Sequence, residues 1–274
     1  MKDSITKTFT VAALLAIVCA IIVSFASVSL KERQKQNKAL DTQTNILRAA
    51  GLVGPTEKVS AAKAEELLQR CAALVVNMKT GELIPDAVAE DVQNDKDNLF
   101  TLDKADDVAG LKTIALKQVV YVFYDESGAP TTIALPIVGT GLWSTMYGFL
   151  SLESDATTVA HLVFYDHGET PGLGGEISNP AWTAKWEGKS AVNADGKTLR
   201  VVKGTVAEDD PDASTLVDGI SGATLTGNGV TNTMEFWLGE KGYGPFLESL
   251  RSGRTTLPPL GAAPSADVEP ETAN

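Results

Sequence analysis

From Thr8 to Leu30 the chain reads "TFTVAALLAIVCAIIVSFASVSL", an apolar run with no charged residue. As a helix rising ~1.5 Å per residue it would measure about 35 Å, enough to cross a ~30 Å hydrocarbon core. It predicts a single N-terminal transmembrane helix. The alternative is a cleaved signal peptide, because "SFAS" at 24–27 places small residues where a peptidase could cut. The run is too long for an ordinary signal, and the charged stretch after it, "KERQKQNKALDTQTNILRAAGL", reads as more helix rather than as the start of a mature domain. An uncleaved anchor is therefore expected.

Past the anchor the periodicity changes repeatedly. "SAAKAEELLQRCAAL" predicts a helix capped by Ser60, and "NMKTGELIP" a turn after it. "DAVAEDVQNDKDNLFTLDKADDVAGL" is acidic and weakly periodic, the pattern of a surface excursion or a set of short turns. Two β-rich runs flank "DESGAP" in "KQVVYVFYDESGAPTTIALPIVG", which predicts a hairpin; "TTVAHLVFYDH" and "KTLRVVKGTV" predict further strands. Val230, Met234, Trp237 and Leu238 recur at helical spacing, with Gly239 and Gly242 as stops. The tail "TTLPPLGAAPSADVEPETAN" is rich in Pro, Ala and acid and reads as disordered. Strands and helices alternate without a regular βαβ rhythm, so a mixed α+β domain with a mixed sheet is expected behind the anchor. The organisation expected is 1–32 for the N-terminal tail and span, 33–100 for a helical connector and small subregion, 101–256 for the main domain, and 257–274 for a disordered acidic tail.

Composition narrows the chemistry. Of 274 residues 43% are apolar, enough for a real core. Asp and Glu number 35 against 23 Lys and Arg, a formal charge of -12, and a nucleic-acid partner is excluded because phosphate binding needs positive charge. Cys19 and Cys71 are far apart, so no disulfide framework is indicated. With His161 and His167 the only imidazoles and no CxxC, HExxH or paired-acid cluster, a dedicated metal site is not expected. Lys31, Arg33, Lys35 and Lys38 follow the span while Lys2 and Lys7 precede it, a count that would leave the domain in the cytoplasm; large domains, however, cross largely regardless of charge.

Two stretches are candidates for a site. "HGETPGLGGEISNPAW" places Gly168, Gly172, Gly174 and Gly175 beside Glu169 and Thr170, backbone that a ligand can approach closely. It has neither the glycine spacing of a dinucleotide-binding loop nor a Walker sequence. "DGISGATLTGNGV" sets Ser221, Thr224 and Thr226 among Gly222, Ala223, Gly227 and Gly229, so a hydroxyl here is open to another enzyme's active site. Threonine is a poor nucleophile without an adjacent base, and none is contiguous. The other reading of the same residues is a β-turn leading into a helix capped by Asn228 or Thr231.

"DGISGATLT" resembles the flavinylation motif, Asp-x-x-Ser/Thr-Gly-Ala-Thr-x-Ser/Thr, of the membrane-anchored FMN-binding domain family shared by the sodium-pumping NADH:quinone oxidoreductase and the ferredoxin:NAD oxidoreductase. "ETPGLGGEI" resembles the family's Glu-Thr-Pro-Gly-Leu-Gly element, and "GTGLWSTMYGFL" the segment typical of the sodium-pump branch. The resemblance covers Lys2 to Leu250. It implies covalent FMN, joined through its phosphate to Thr226 by a flavin transferase, in a motif that begins at Asp218. Ser221, Gly222, Ala223 and Thr224 would surround the phosphate and ribityl chain, Glu169, Thr170, Leu173 and Gly174 would approach from a second loop, and Trp143, Ser144 and Tyr147 from a third. Trp143 and Tyr147 read equally as core aromatics, and His167 as a residue that shapes its loop. The resemblance further implies an electron carrier with no catalytic side chain, in a bacterial inner-membrane complex with other membrane, flavin and iron–sulfur subunits. Electrons would pass from NADH to a quinone as sodium moves outward, with this domain on the periplasmic side. Two other readings stand beside it: the same module in the ferredoxin-linked complex, and a non-redox, membrane-tethered binding or assembly module with an unused turn.

Overall fold

The computed structural model describes residues 5–85, 87–95 and 97–262. Its first element, α1 (Ile5–Ala49), runs 45 residues without a break. The segment Lys7–Lys31 has a mean hydropathy of 2.8 and buries nothing inside the protein, as a helix facing lipid requires; among the described residues it is the one helix long and apolar enough to cross a membrane. The polar stretch that follows belongs to the same helix. Its last turns change character again and plant Ile46, Leu47 and Ala49 in the core at 0% exposure. Span and domain are thus joined by continuous helix rather than by a flexible linker.

The remaining elements are, in order, α2 (Ala61–Leu68), β1 (Cys71–Asn77), α3 (Ala89–Asn94), β2 (Leu99–Thr101), β3 (Thr113–Ala115), β4 (Lys117–Tyr124), β5 (Pro130–Thr140), β6 (Thr145–Glu153), β7 (Val159–Asp166), α4 (Pro180–Thr183), β8 (Arg200–Val201), β9 (Leu216–Val217), α5 (Thr224–Leu238) and α6 (Gly244–Arg251). Five strands form the central antiparallel sheet in the order β1-β4-β5-β6-β7, and the short pairs β2-β3 and β8-β9 stand apart, the latter parallel. This is the α+β architecture that the alternation of patterns predicts, with an antiparallel central sheet where a mixed one was expected; among the described residues only the short β8-β9 pair is parallel.

Alternation along the strands divides the core into two layers. Cys71, Ala73, Val75, Val119, Tyr121, Phe123, Ala134 and Phe149 face the end of α1 and α2, together with Ile46, Leu47, Ala64 and Leu68. Leu74, Val76, Val120, Val122, Ile133, Leu135, Leu150 and Leu152 face α5 and α6, through Met234, Trp237, Phe246 and Leu247. A sheet buried on both faces needs apolar residues at every position, which is why "QVVYVFY" and "TIALPIV" read as continuous runs. At its C-terminal end β5 extends beyond its pairing with β4, and side chains take over the free carbonyls: Trp237 Nε1 donates to Val138 O (2.7 Å) and the Tyr243 hydroxyl to Pro136 O (2.9 Å). These bonds seat α5 and α6 on the strand that leads into the site.

Several expectations are corrected. Ser60 does cap α2, accepting from Lys63 N, but the helix ends at Leu68 and "CAALVVN" is β1, because that segment is buried on both faces of the sheet. The part expected as a separate subregion thus supplies the edge strand of the central sheet. The acidic excursion contains α3, β2 and β3. "KTLRVVKGTV" contributes only two residues of strand, Arg200 and Val201. The helix expected from Val230 begins six residues earlier, at Thr224, so Asn228 and Thr231 lie inside it and neither caps it. The expected disordered tail falls largely at 263–274, outside the described residues; its first part is held, with Leu257 against the core and Pro258 O accepting from the Tyr124 hydroxyl (2.8 Å).

Gly229 sets how closely α5 approaches β5, since a Cβ there would sit 2.5 Å from the Thr140 carbonyl oxygen. Backbone cannot yield as a side-chain tip does, so Gly229→Ala is expected to destabilise the domain by about 1–3 kcal/mol. Equilibrium denaturant unfolding of the detergent-solubilised chain measures it.

Candidate functional site

Three segments distant in sequence meet at the N-terminus of α5. The first is the turn between β5 and β6, residues 141–144; the second is the loop after β7, residues 167–175; the third is the motif stretch Asp218–Gly229. At their junction the Thr226 hydroxyl donates to Glu169 Oε2 at 2.6 Å. Glu169 Oε1 accepts from the backbone N–H groups of Trp143 (2.8 Å) and Ser144 (3.3 Å). Glu169 is 4% exposed and Thr226 1%, so the Thr226 hydroxyl is closed over rather than open as its small neighbours suggest, because Gly174 and Glu169 pack against it. The Ser144 hydroxyl in turn accepts from Gly168 N (2.6 Å), fastening the first segment to the second.

Small residues make this convergence possible. A Cβ on Gly174 would overlap Thr226 Oγ1 and lie 2.7 Å from Glu169 Oε2, and one on Gly141 would lie 2.5 Å from Glu169 Oε1. Any side chain at either position would displace the carboxylate or the hydroxyl.

A buried carboxylate is costly unless donors compensate it. Burial pushes the Glu169 carboxyl up; the Thr226 hydroxyl and the amides of Trp143, Ser144 and Leu142 outweigh that and hold it below the usual carboxylate range. It is therefore an anion at neutral pH, an acceptor for a proton rather than a source of one.

The N-terminus of α5 is open. Ala223 occupies the cap position and makes no side-chain capping bond, and the first helical bond runs from Gly227 N to Ala223 O (2.9 Å). The amides of Thr224, Leu225 and Thr226 thus precede the hydrogen-bond ladder. A helix of 15 residues that begins this way presents oriented N–H groups and the positive end of its dipole to an anion.

The other expected residues take distinct places. Ser221 and Thr224 are exposed beside the junction, and Gly222, at φ +73°, brings the chain against Leu173, where a Cβ would lie 3.0 Å from Leu173 Cδ2. Thr170 is exposed and closes its loop through its carbonyl, which accepts from Leu173 N (3.1 Å) and Gly175 N (2.9 Å). Asp218 does not face Thr226. Its carboxylate accepts from Lys185 Nζ and Val206 N, both at 2.8 Å, and its carbonyl from Trp182 Nε1 (2.9 Å), so it fastens the motif to neighbouring segments. The Lys185 hydrogen bond is the main reason its carboxyl is held low.

Trp143 is 71% exposed and hence not a core aromatic. Tyr147 is half-buried on β6, opposite Val138 and Asp166, and lines a cavity of about 440 Å³ with Thr140, Tyr165 and Trp237. His167 accepts from Glu169 N at Nδ1 (3.3 Å) and so shapes its loop. Sequence reasoning missed Gly141, Leu142 and Leu225. Leu142 and Leu225 are 43% and 59% exposed, and with Trp143 and Leu173 (45%) they leave apolar surface around a buried polar centre. An apolar residue set beside each motif was the available signal. Among the described residues no group of His, Cys, Asp and Glu is arranged to hold a metal ion.

Residues 141–239, which hold all three segments, match the FMN-binding domain family. Fold and site together define an FMN-binding domain behind one N-terminal apolar helix. The NqrC subunit of the Na(+)-translocating NADH-quinone reductase of Yersinia pestis is 42% identical over 260 residues, covering 92% of this chain and 95% of the relative. That of Pasteurella multocida is 45% identical over 258 residues, covering 92% and 96%. The crystal structure of Shewanella oneidensis NqrC superimposes with a TM-score of 0.68 at 33% identity, covering 79% of this chain and 99% of that one. The chain belongs to the NqrC family of Na(+)-translocating NADH-quinone reductase subunits.

A carboxyl held low in the folded state stabilises it above the carboxyl's unfolded pKa, and that contribution is lost as pH falls through the lower folded value. Glu169→Gln is therefore expected to be less stable than wild type at neutral pH, with the difference narrowing as pH falls below about 4. Urea unfolding midpoints of the two proteins across this range check the sign.

Proposed function

We propose that this chain is the electron-carrying flavoprotein subunit of a sodium-pumping NADH:quinone oxidoreductase, with FMN attached through a phosphoester to Thr226. The observation that carries the reading is the Thr226 hydroxyl on the first turn of an uncapped 15-residue helix, inside the segment matched to the FMN-binding domain. The residues fit the group: the amides of Thr224, Leu225 and Thr226, which precede the helix hydrogen-bond ladder, suit a phosphate, and glycine at 174 adds no side chain against the Thr226 hydroxyl. Ser221 and Thr224 would serve the polar ribityl chain. Leu142, Trp143, Leu173 and Leu225 supply apolar surface suited to a flat aromatic ring system.

Bound FMN supplies reversible electron transfer, which no side chain here provides. The protein's contribution is position: the tether fixes the group, and the packed helix and sheet fix the tether. Glu169 and Asp218 hold the surrounding loops in register through the bonds described above. Sodium movement is assigned to partner subunits, since this chain carries no Asp, Glu, Lys, Arg or His from Thr8 to Leu30 with which to line an ion path. The names carried by the relatives favour the NADH:quinone complex over the ferredoxin-linked one. A flavin transferase performs the attachment, and the domain stands on the periplasmic side of the inner membrane, a placement that large domains reach despite the charge count.

Two outcomes test this. The chain coexpressed with a flavin transferase should fluoresce as a flavoprotein band after denaturing electrophoresis, and Thr226→Ala should abolish the band while Thr224→Ala only weakens it; fluorescence retained in Thr226→Ala would refute the site. For orientation, Ser127→Cys in the exposed β4–β5 turn should react with a membrane-impermeant maleimide on intact spheroplasts. Reaction only after lysis would place the domain in the cytoplasm.

A further inference from the structure

A threonine hydroxyl ionises far above neutral pH, so its attack on phosphorus needs a group to take its proton. The motif's one carboxylate, Asp218, is engaged by Lys185 Nζ and Val206 N instead. The fold brings one from 57 residues away, with Glu169 Oε2 at 2.6 Å from Thr226 Oγ1. The other carboxylate oxygen is pinned by the Trp143 and Ser144 amides, so the orientation of Glu169 does not depend on Thr226. The neighbouring titratable side chain, His167, meets Glu169 through its main-chain N–H. Nucleophile, base and a group that orients the base are thereby assembled, the arrangement that activates hydroxyls elsewhere.

We propose that Glu169 is the general base for esterification of Thr226; this rests on reading Thr226 as the attachment site. Thr226 Oγ1 forms the bond to phosphorus while its proton passes to Glu169 Oε2. The bond from phosphorus to its leaving group breaks, and the leaving group departs with that electron pair. Esterification by a simple phosphate monoester would have to expel hydroxide, so the donor is of the flavin dinucleotide class, whose phosphoanhydride releases a nucleoside monophosphate. No redox change accompanies the step. The transferase therefore activates the phosphorus, and the acceptor protein brings its own base.

Thr226 is 1% exposed, so the Gly172–Gly174 limb of the loop must shift to admit a donor, whereas Glu169 stays tied to the 141–144 turn. The division of labour within one loop explains why the glycines and the carboxylate lie so close together.

The test uses the flavin-free full chain, purified transferase and a flavin dinucleotide, and reads the initial rate of covalent flavin incorporation as pH is lowered. Glu169→Gln keeps an oxygen for the two amides and accepts no proton. It should incorporate flavin about 100-fold more slowly than wild type at neutral pH. The ratio of wild-type to variant rate cancels the transferase's own titration and should fall as Glu169 becomes protonated. Rates are compared only where the unfolding curves show both proteins fully folded, so that the pH-dependent loss of stability does not enter; equal rates, or a lowered rate whose ratio ignores pH, would overturn the proposal. If Glu169→Gln lacks a cooperative unfolding transition, wild-type protein with ¹³C-labelled glutamate decides. A Glu169 carboxyl ionised at the pH of attachment supports the base, and one that titrates above that pH excludes it. Absence of incorporation at Thr226 in wild type would instead overturn the attachment reading itself.

Discussion

Everything distinctive about this domain is organised by one hydrogen bond between the Thr226 hydroxyl and the Glu169 carboxylate, 2.6 Å long and closed off from water. An unpaired carboxylate in that position would be expelled or neutralised. It persists as an anion because two backbone amides and the hydroxyl converge on it, and hydrogen bonds to a charged group contribute roughly 1.5–3 kcal/mol each. The geometry of those donors demands glycine at 141 and 174, and the hydroxyl's position demands that α5 begin where it does. A single buried charge thus dictates residue choice on three separate segments.

The scaffold exists to hold these segments still. β5 and β6 deliver the 141–144 turn, β7 delivers the loop that carries Glu169, and α5 lies on the face of the sheet where Trp237 and Tyr243 complete the hydrogen bonding of β5. The opposite face is covered by the last turns of the helix whose beginning is the apolar span. Since that helix does not break, the position of the sheet, and with it the site, is referred to the membrane through about 1.5 Å of rise per residue rather than through a loop. For a group that must exchange electrons with neighbours in a complex, such a fixed address matters as much as its chemistry.

Much of this was legible in the sequence, and for identifiable reasons. The apolar span declares itself by length and the β4–β5 hairpin by its turn residues, while Thr226 is singled out by the resemblance of "DGISGATLT" to a flavinylation motif. What was misread depends on tertiary context. "CAALVVN" follows a helix-forming run and looks like its continuation; only burial on both faces makes it a strand. Thr224 to Gly229 has poor helix propensity, yet it is helix, because packing against β5 outweighs the cost of its glycines. The partners of Asp218, Lys185 and Val206, lie 33 and 12 residues away along the chain, and the motif itself does not announce them. The partnership of Glu169 with Thr226 spans 57 residues, and no local pattern encodes it.

The most direct test of the central claim is peptide mass spectrometry of this chain isolated from the assembled, active complex. The peptide spanning Gly204 to Lys241 should carry the mass of a flavin mononucleotide ester, with fragment ions that place it on Thr226. An unmodified peptide, or a modification on Ser221, Thr224 or Thr231, would contradict the account.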